Sequence, residues 1–395
     1  MQRVSVFGST GCIGQKTVQL LLKNPNKYKV EVLTANSNFE LLARQARLVN
    51  AKNVVIADKR FFRDLKESLF GTGINVKAGS EGLAAAASIP IDRAIIAIVG
   101  IAGLMPTMKI IESKTKIIAL ANKESIICGG ELMLRKAKEH KVKIIPIDSE
   151  HNAIFQIFHS SYNLDKIVLT ASGGPFLHLT YEQMKNVTLR DAMSHPIWKM
   201  GEKNSIDSAT MMNKALELIE AQNLFAVGPS KLDVVIHPES IVHGVVSYKD
   251  GSNLAVLACP DMDIPISYAL SWPRRSSIIN KQLDLTKQKL TFFEPNYNQF
   301  PALKLAMEVL RSNTPHANSI ILNAANEVAT GAFVESKIGF LDIAKIVQEI
   351  LAATKVTAGS FDSLDNIIDL DSNSRILAER LINSNYVSTR CTVAL

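Results

Sequence analysis

Two carboxylates stand two residues apart at the end of an apolar run. The segment IIPIDSEHNA, residues 144–153, predicts a buried strand over Lys143–Asp148 with Glu150 just beyond it. Polar groups there cost free energy unless they have partners. Because residues i and i+2 of an extended chain point to the same side, both carboxylates are predicted to converge on one hard cation. The structural alternative is that they pair with lysines or cap a helix, since ion-pair networks imitate active sites.

A third oxygen ligand is predicted in the helical segment DSATMMNKALELIEAQNLF, residues 207–225. Its apolar stripe is expected to pack inward, while Asn213, Glu217 and Glu220 form a second stripe at i, i+4 and i+7. The spacing leaves open which glutamate is the ligand. Three carboxylates together with water and substrate oxygens suit Mg²⁺ or Mn²⁺.

Two further segments predict a phosphate pocket. LTASGGPF ends a strand in Ser172 and two glycines, and a helix is predicted to begin at Asp207 or Ser208 with Asn213 and Lys214 in its first turns. Hydroxyl, amide and ammonium donors around a helix N-terminus bind phosphate well. Taken singly, Ser208 is equally a plain helix cap and Lys214 a solvated helix residue.

The segment SHPIWKMG, residues 194–201, places His195 and Trp198 in a loop bounded by proline and glycine. A tryptophan in such a loop is either a packed corner or part of a lid over a substrate. These residues alone favour the corner.

The segment VSVFGSTGCIGQKTV places Gly8, Gly11 and Gly14 between a strand and a helix. Glycines there permit a tight turn and let backbone N–H groups approach a pyrophosphate. The spacing is GxxGxxG, and the alternative is a glycine-rich turn with no ligand. The second strand ends without the acid that is usual for NAD, and is followed by the neutral donors of residues 36–38 (NSN) instead, which favours NADP.

The composition limits the classes of partner. With 395 residues, of which 47% are hydrophobic and 21% charged, the chain has room for two or three folded domains. The longest apolar run, residues 94–105, is too short to span a bilayer. The net charge of +7 comes without a basic stripe or a nucleic-acid module, so a small anionic substrate is expected rather than a nucleic acid. Four scattered cysteines and the absence of room for a signal peptide indicate a cytoplasmic protein.

The elements that must position these residues follow a pattern that changes near residue 149. Before it, continuous apolar strands alternate with helices, which predicts a parallel sheet covered on both faces. The predicted strands are Arg3–Ser9, Val30–Ala35, Asn53–Ala57, Asn75–Lys77, Ala94–Val99, Lys116–Ala121 and Lys143–Asp148. After it, strands of a second sheet are predicted with helices at 207–225 and 264–269.

The predicted fold class is α/β in four parts along the chain. These are a Rossmann-like parallel-sheet domain over residues 1–148, a central α+β catalytic domain over 149–271, a linker over 272–301 and a helical domain over 302–395.

Taken together and in order, the motifs resemble one enzyme family. The motifs are GSTGCIG, AIVGIAGLMPT, LANKES, IDSEHNAIFQ, ASGGPF, HPIWKMG, DSATMMNKALE, PDMDIPI and LNAANEVA. They resemble 1-deoxy-D-xylulose 5-phosphate reductoisomerase nearly end to end. The resemblance implies an NADPH- and divalent-metal-dependent enzyme of isoprenoid precursor synthesis that forms 2-C-methyl-D-erythritol 4-phosphate. It also implies a homodimer, for which the strands after Ser149 would supply an edge. The implied metal is Mg²⁺ or Mn²⁺, with Co²⁺ as an alternative.

The resemblance also assigns residues to roles. It implies Asp148, Glu150 and Glu217 as metal ligands, which selects Glu217 over Glu220. It implies a catalytic part for Glu150, Lys123 and His195. The implied substrate contacts are Lys123, Ser149, Glu150, Ser172, His195, Trp198, Ser208, Asn213, Lys214 and Glu217, with Trp198 in a mobile lid. The implied NADPH contacts are Thr10, Gly11, Cys12, Ile13, Asn36, Ser37, Asn38, Asn122, Glu124 and Gly201. The chain departs from the family pattern at Cys12, Asn36 and Ser37, which bears on selection between NADPH and NADH.

Two rival functions fit parts of the pattern. A semialdehyde dehydrogenase of similar build needs a catalytic cysteine, for which Cys128 in SIICGGE is the glycine-flanked candidate, and it leaves the three acids unexplained. A non-catalytic NADPH sensor needs the glycine loop but not the acids.

Overall fold

The chain folds into two compact units that are interleaved along the sequence. The computed structural model describes residues 1–160, 162–198, 200–275, 282–356, 361 and 363–386. The first unit comprises Met1–Ser125, Met133–Phe155 and Asp261–Gln282, and the second comprises Ile126–Leu132, Gln156–Pro260 and Leu283–Leu395. The expected four-part division stays a prediction, and its residues 276–281 and 387–395 lie outside the described ranges.

The first unit is built on a sheet of seven parallel strands in the order β4-β3-β2-β1-β5-β6-β7. The strands are β1 Gln2–Phe7, β2 Tyr28–Ala35, β3 Asn53–Ile56, β4 Asn75–Ala78, β5 Arg93–Ile96, β6 Ile117–Leu120 and β7 Lys143–Pro146. Every neighbouring pair is parallel. The sequence prediction of a parallel sheet is confirmed. Strands β2, β3, β5, β6 and β7 are almost entirely buried, whereas the edge strand β4 is partly exposed.

The helices alternate with these strands and then dominate the second unit. In chain order they are α1 Cys12–Leu22, α2 Phe39–Leu48, α3 Phe62–Ser68, α4 Gly79–Ala87, α5 Leu104–Glu112, α6 Lys123–Glu139, α7 Ser149–Ile157, α8 Tyr181–Met184, α9 Leu189–Ala192, α10 Glu202–Ala209, α11 Met212–Phe225, α12 Asp263–Ser271, α13 Pro301–Arg311, α14 Pro315–Val334, α15 Asp342–Ala353 and α16 Leu364–Leu381. Among the described residues, no helix combines the length and apolarity needed to cross a bilayer.

Helix α12 packs within the first unit although it follows the second sheet in sequence. Its residues Ile266, Ala269 and Leu270 are buried in the same core cluster as strands β1 and β2. Tyr28 and Arg93 bind its carbonyl groups, with Tyr28 Oη at 3.3 Å from the carbonyl oxygen of Leu270. The chain therefore returns to the parallel sheet before it enters the irregular segment that was predicted as a linker.

The second unit contains a mixed four-stranded sheet in the order β11-β10-β8-β9. The strands are β8 Leu164–Ala171, β9 Leu232–Ile236, β10 Val242–Tyr248 and β11 Asn253–Leu257. Strands β8 and β9 are parallel, whereas β10 is antiparallel to both of its neighbours. The predicted second sheet is confirmed.

Two local predictions are wrong, and both concern where a helix begins. Strand β7 ends at Pro146 and α7 begins at Ser149, so Asp148 and Glu150 are not neighbours on an extended strand. The helix predicted from Asp207 is two helices, because Met211 between α10 and α11 has a left-handed backbone with φ of +59°. Ser208 therefore lies near the C-terminal end of α10 and does not begin a helix.

Candidate active site

The glycine loop lies where the order of the parallel strands reverses. Strand β1 pairs with β2 on one side and with β5 on the other, and such a switch point opens a crevice at the carboxyl ends of the strands. A Cβ on Gly8 would lie 2.5 Å from the carbonyl oxygen of Ala97, which follows β5. A Cβ on Gly14 would lie 2.1 Å from the carbonyl oxygen of Gly8. These two glycines are required by the close approach of backbone segments.

Gly11 differs from both. A Cβ there would meet no atom of the chain closer than 3.7 Å, and Gly11 precedes the first turn of α1 without a side-chain cap. The first N–H groups of a helix have no partner within the helix, and a helix start that follows the first strand of such a sheet is the arrangement that receives a pyrophosphate. Four predicted cofactor contacts lie together here, namely Thr10, Gly11, Cys12 and Ile13.

The loop after β2 holds the next three predicted cofactor contacts. Asn36, Ser37 and Asn38 are all exposed. The Asn38 side chain accepts a 3.0 Å hydrogen bond from the N–H of Leu41 and caps α2. This loop carries no cation of its own.

Asn122 organises the loop that follows β6. It is 3% exposed, and its amide nitrogen donates to the carbonyl oxygens of Ile98 and Gly100 at 2.8 and 2.9 Å and to Glu124 Oε2 at 2.7 Å. Its Oδ1 accepts the N–H of Ser125 at 2.9 Å. The side chain of Asn122 is thus fully used in joining the ends of β5 and β6, and it positions Glu124.

The acidic cluster of the first unit lies at the start of α7. Asp148 Oδ1 accepts the N–H groups of Glu150 and His151 at 3.1 and 3.2 Å, and its Oδ2 pairs with Lys123 Nζ. The side chains of this pair are about one-seventh exposed. The Ser149 hydroxyl donates to Glu150 Oε2. Asp148 therefore caps the start of α7 and pairs with a lysine, as the structural alternative predicts.

In the second unit, His195 joins two segments. One is the turn at residues 172–174, called the Ser172 turn, and the other is the loop of residues 194–201 that contains Trp198, called the tryptophan loop. His195 Nδ1 accepts the N–H groups of Ile197 and Trp198 at 3.1 and 2.9 Å. Nε2 therefore carries the ring proton and donates it to Ser172 Oγ at 3.0 Å. Burial lowers the pKa of His195, because the charged ring is disfavoured there.

The tryptophan loop is only partly buried. Trp198 contacts the His243 ring edge-on at 6.3 Å between centroids, and Gly201 precedes α10 in an extended conformation with open space around its Cα. Lys199 lies outside the described residues. Trp198 is therefore less buried than a packed corner residue would be, and more buried than a side chain that is free in solvent.

The predicted phosphate donors share one region of the second unit. Gly173 and Gly174 both have positive φ, and a Cβ on Gly174 would lie 2.7 Å from the carbonyl oxygen of Ser208. The Ser172 turn therefore packs directly on the end of α10, beside Ser208. Asn213 and Lys214 lie in the first turn of α11, where N–H groups have no partner within the helix.

Helix α11 buries its acids. Glu217 is fully buried and pairs with Lys214 Nζ and Asn213 Nδ2, and Glu220 is 2% exposed. Burying a carboxylate is costly without a charged or hydrogen-bonding partner. Asn213 and Glu217, which were predicted to share one helix face at i and i+4, are in direct contact.

Comparison with known proteins now identifies the family. Sequence-family models match over residues 4–130, 144–225 and 257–377, described as 1-deoxy-D-xylulose 5-phosphate reductoisomerase, its C-terminal domain, and the DXP reductoisomerase C-terminal domain. A reductoisomerase from Wolbachia pipientis is 59% identical over 395 residues, which covers 98% of this chain and 99% of that protein. The chain belongs to the 1-deoxy-D-xylulose 5-phosphate reductoisomerase family.

Other members of the reductoisomerase family agree in sequence and in structure. The enzyme from Ehrlichia canis is 54% identical over 97% of this chain and 99% of its own length. The structure from Zymomonas mobilis, in complex with NADPH, is 44% identical with a TM-score of 0.90 and covers 97% and 99% of the two chains. A reductoisomerase in complex with NADPH, fosmidomycin and magnesium is 38% identical with a TM-score of 0.93, covering 97% and 98%. The α/β fold class is confirmed.

Three groups beside the predicted residues were not predicted from the sequence. His151 is fully buried beneath Asp148, with its Nδ1 3.3 Å from Oδ1. Asp207 is buried between Lys203 and Asn326. Arg60 lies in the loop that contacts Asn36. The i, i+4 spacing of Lys203 and Asp207 was a usable signal, whereas the other two depend on tertiary packing.

Proposed function

We propose that this chain converts 1-deoxy-D-xylulose 5-phosphate, NADPH and a proton into 2-C-methyl-D-erythritol 4-phosphate and NADP⁺, with a divalent cation as cofactor. The observation that carries the proposal is the near-complete match to a structure that holds NADPH, fosmidomycin and magnesium. NADPH supplies the hydride when bound, and the cation supplies Lewis-acid polarisation of the substrate oxygens.

The proposed metal ligands are Asp148, Glu150 and Glu217. All three offer carboxylate oxygens, the donors preferred by Mg²⁺ and Mn²⁺, with Co²⁺ as a further candidate. One observation supports a cation here: Glu217 is fully buried, and a buried carboxylate needs charged or hydrogen-bonding partners. In the structure each acid also has a nearby donor that offsets its charge. Lys123, Ser149 and Lys214 are these donors, and each is also a proposed substrate contact.

The substrate phosphate is proposed to bind among Ser172, Ser208, Asn213 and Lys214. Two glycines keep the Ser172 turn against Ser208, and α11 adds N–H donors with an ammonium group in its first turn. His195 holds Ser172 through Nε2–H and holds the backbone of Trp198 through Nδ1. A neutral ring suits both contacts, which agrees with its lowered pKa.

The proton-handling residues are proposed to be Glu150 and Lys123. Oε2 of Glu150 accepts a hydrogen bond from the Ser149 hydroxyl, and a carboxylate oxygen in this position is proposed to take up and release a proton. The Lys123 ammonium donates to Asp148 and is placed to stabilise negative charge on a substrate oxygen. Trp198 is proposed to cover the substrate and exclude water, with Gly201 toward the nicotinamide.

The NADPH site is proposed at the switch crevice, formed by the glycine loop with Asn36, Ser37, Asn38, Asn122 and Glu124. Gly11 leaves room at the start of α1, and Asn122 joins the β5 and β6 loops at the same edge. Because the Asn122 side chain is used internally, its contact with the cofactor is proposed through the backbone. A cytoplasmic location stays a prediction.

A homodimer is proposed through strand β11. This strand lies at the edge of the second sheet, and its Leu254 and Leu257 are 41% and 38% exposed. The opposite edge at β9 is partly covered, because Ile236 and Phe293 exchange two backbone hydrogen bonds of 2.9 Å. Leu254→Arg is expected to shift the mass measured by light scattering toward the monomer, and an unchanged dimer mass would argue against this edge.

The deciding experiment is NADPH oxidation with 1-deoxy-D-xylulose 5-phosphate, with and without Mg²⁺. Turnover that requires both supports the proposal, and NADPH binding without turnover indicates a sensor protein. The semialdehyde dehydrogenase reading is already disfavoured, because Cys128 is fully buried and a nucleophilic thiol has to be accessible. A Cys128→Ala variant that retains turnover would exclude that reading.

A further inference from the structure

The loop after β3 lies against the loop after β2 at the carboxyl edge of the parallel sheet. The N–H of Asp58 donates to the carbonyl oxygen of Asn36 at 2.9 Å. The rings of Phe39 and Phe61 stack with centroids 5.8 Å apart and planes at 20°. One contact precedes and one follows position 60, so Arg60 is held beside residues 36–38.

Arg60 is fixed in this loop and yet open to solvent. Its Nη2 lies 2.6 Å from Asp58 Oδ2, and its Nε lies 3.0 Å from both carboxylate oxygens. Its own N–H donates to Asp58 Oδ1 at 3.0 Å, and its guanidinium lies 5.9 Å from the Phe61 ring centroid. Even so, 84% of the side chain is exposed. Guanidinium donors that Asp58 does not use are therefore available to an anion.

The neighbouring loop offers a 2′-phosphate neutral donors but no cation. Asn36, Ser37 and Asn38 carry no charge, and the Asn38 side chain caps α2. In dinucleotide-binding sheets the adenosine ribose lies at the end of the second strand, and a nearby arginine accommodates a 2′-phosphate. An arginine binds phosphate through paired donors. Without Arg60, the Asp58 carboxylate would repel the 2′-phosphate.

We propose that Arg60 binds the 2′-phosphate of NADPH, and that its pairing with Asp58 makes the site select NADPH over NADH. Arg60 does this in two ways: it supplies the cation that residues 36–38 lack, and it neutralises the Asp58 carboxylate at the same edge. The inference rests on the NADPH site proposed above. A plain surface ion pair is the alternative, and such pairs contribute little to folding.

The test compares Arg60→Ala with Arg63→Ala, since Arg63 is an exposed arginine in the first turn of α3. Binding of NADPH and of NADH is titrated calorimetrically without metal or substrate. Arg60→Ala is expected to weaken NADPH about tenfold or more, as for loss of a charged hydrogen bond, with NADH changed by less than about threefold. Arg63→Ala should alter neither. Equal NADPH losses in the two variants, or equal losses of NADPH and NADH in Arg60→Ala, would overturn the proposal.

Two further variants separate the parts of the mechanism. Arg60→Lys retains the charge without the paired donors and should bind NADPH with intermediate affinity. The double variant Asp58→Asn with Arg60→Ala removes the repulsive carboxylate and should recover part of the NADPH affinity that Arg60→Ala loses. No recovery would refute the neutralising role of Arg60.

The assay also separates this inference from the function on which it rests. If the wild-type chain oxidises NADPH with 1-deoxy-D-xylulose 5-phosphate while Arg60→Ala keeps the wild-type NADPH-to-NADH ratio, only the Arg60 assignment fails. If the wild-type chain binds neither nucleotide, the NADPH site and the Arg60 assignment fail together. Matching thermal unfolding midpoints of the variants serve as the control for folding.

Discussion

Asn326 in α14 donates a hydrogen bond from Nδ2 to Asp207 Oδ1 in α10 across 2.9 Å. Asp207 is 1% exposed, and Lys203 Nζ lies 2.7 Å from its other oxygen. The two residues are 119 positions apart, so their contact ties the long helix α14 to the helix that ends beside Ser208. Helix α10 ends two residues after Asp207, at Ala209, and the left-handed Met211 separates it from α11.

Asn326→Leu is therefore expected to destabilise the second unit. The change keeps the branched shape of the side chain but leaves one oxygen of a buried carboxylate without its donor, which costs about 1–3 kcal/mol. The measurement is the urea unfolding midpoint. Asn366→Leu on the exposed face of α16 is the matched control and should shift the midpoint little. An equal shift in both variants would mean that the Asp207 contact carries no special weight.

Two alanine substitutions in the glycine loop should have opposite effects. Gly14→Ala brings a Cβ to 2.1 Å from a backbone oxygen, so the loop must shift at a cost of roughly 1–3 kcal/mol. Gly11→Ala meets no atom of the chain within 3.7 Å and should leave stability unchanged. Gly11→Ala should nevertheless weaken NADPH binding, because its Cβ enters the space proposed for the pyrophosphate. Thermal midpoints and NADPH titration measure the two effects, and normal NADPH affinity in Gly11→Ala would place the pyrophosphate elsewhere.

Glu217→Gln is expected to abolish metal-dependent turnover and to leave NADPH binding largely intact, because the glycine loop belongs to the other unit. Mn²⁺ binding followed by electron paramagnetic resonance gives a readout that does not depend on turnover. Glu220→Gln, one turn further along α11 and equally buried, is the control. Loss of Mn²⁺ binding in Glu220→Gln instead of Glu217→Gln would show the ligand assignment to be wrong.

The lowered pKa of His195 predicts a pH dependence of stability. A histidine whose folded pKa lies below its unfolded value of 6.5 favours the folded state as the neutral ring. This contribution is complete above pH 6.5 and is lost as the pH falls through the folded pKa. Unfolding midpoints measured from about pH 8 down to pH 5 should therefore fall more steeply for the wild type than for His195→Asn. Parallel curves would show that His195 contributes no pH dependence.

Trp198→Ala distinguishes a lid from a packed corner. As a lid residue, Trp198 should be needed for turnover, since an open site admits water, and its loss should change stability little. A corner residue predicts a loss of roughly 3–5 kcal/mol instead. In a Trp272→Phe background, the fluorescence reports on Trp198 alone. Emission that does not change when NADPH and a substrate analogue are added would contradict the lid.

The sequence by itself determined the parallel sheet and most of the residues brought to its carboxyl edge. Continuous apolar strands specify burial on both faces, and their ends must then lie at one edge, where Gly8, Gly11 and Gly14 also lie. The i, i+4 spacing of Asn213 and Glu217 likewise gave a contact that the structure contains. Such inferences succeed because they depend on local periodicity.

Only the tertiary structure decided the features that depend on distant contacts. The end of β7 before Asp148 and the break at Met211 reflect packing that overrides local helix and strand preference. Three contacts join segments that are far apart in sequence. They are the packing of α12 on the first sheet, the hydrogen bond from Asn326 to Asp207, and the contact of the Arg60 loop with Asn36. No periodicity encodes these contacts, because each arises from the burial of side chains by elements that meet only after the chain has folded.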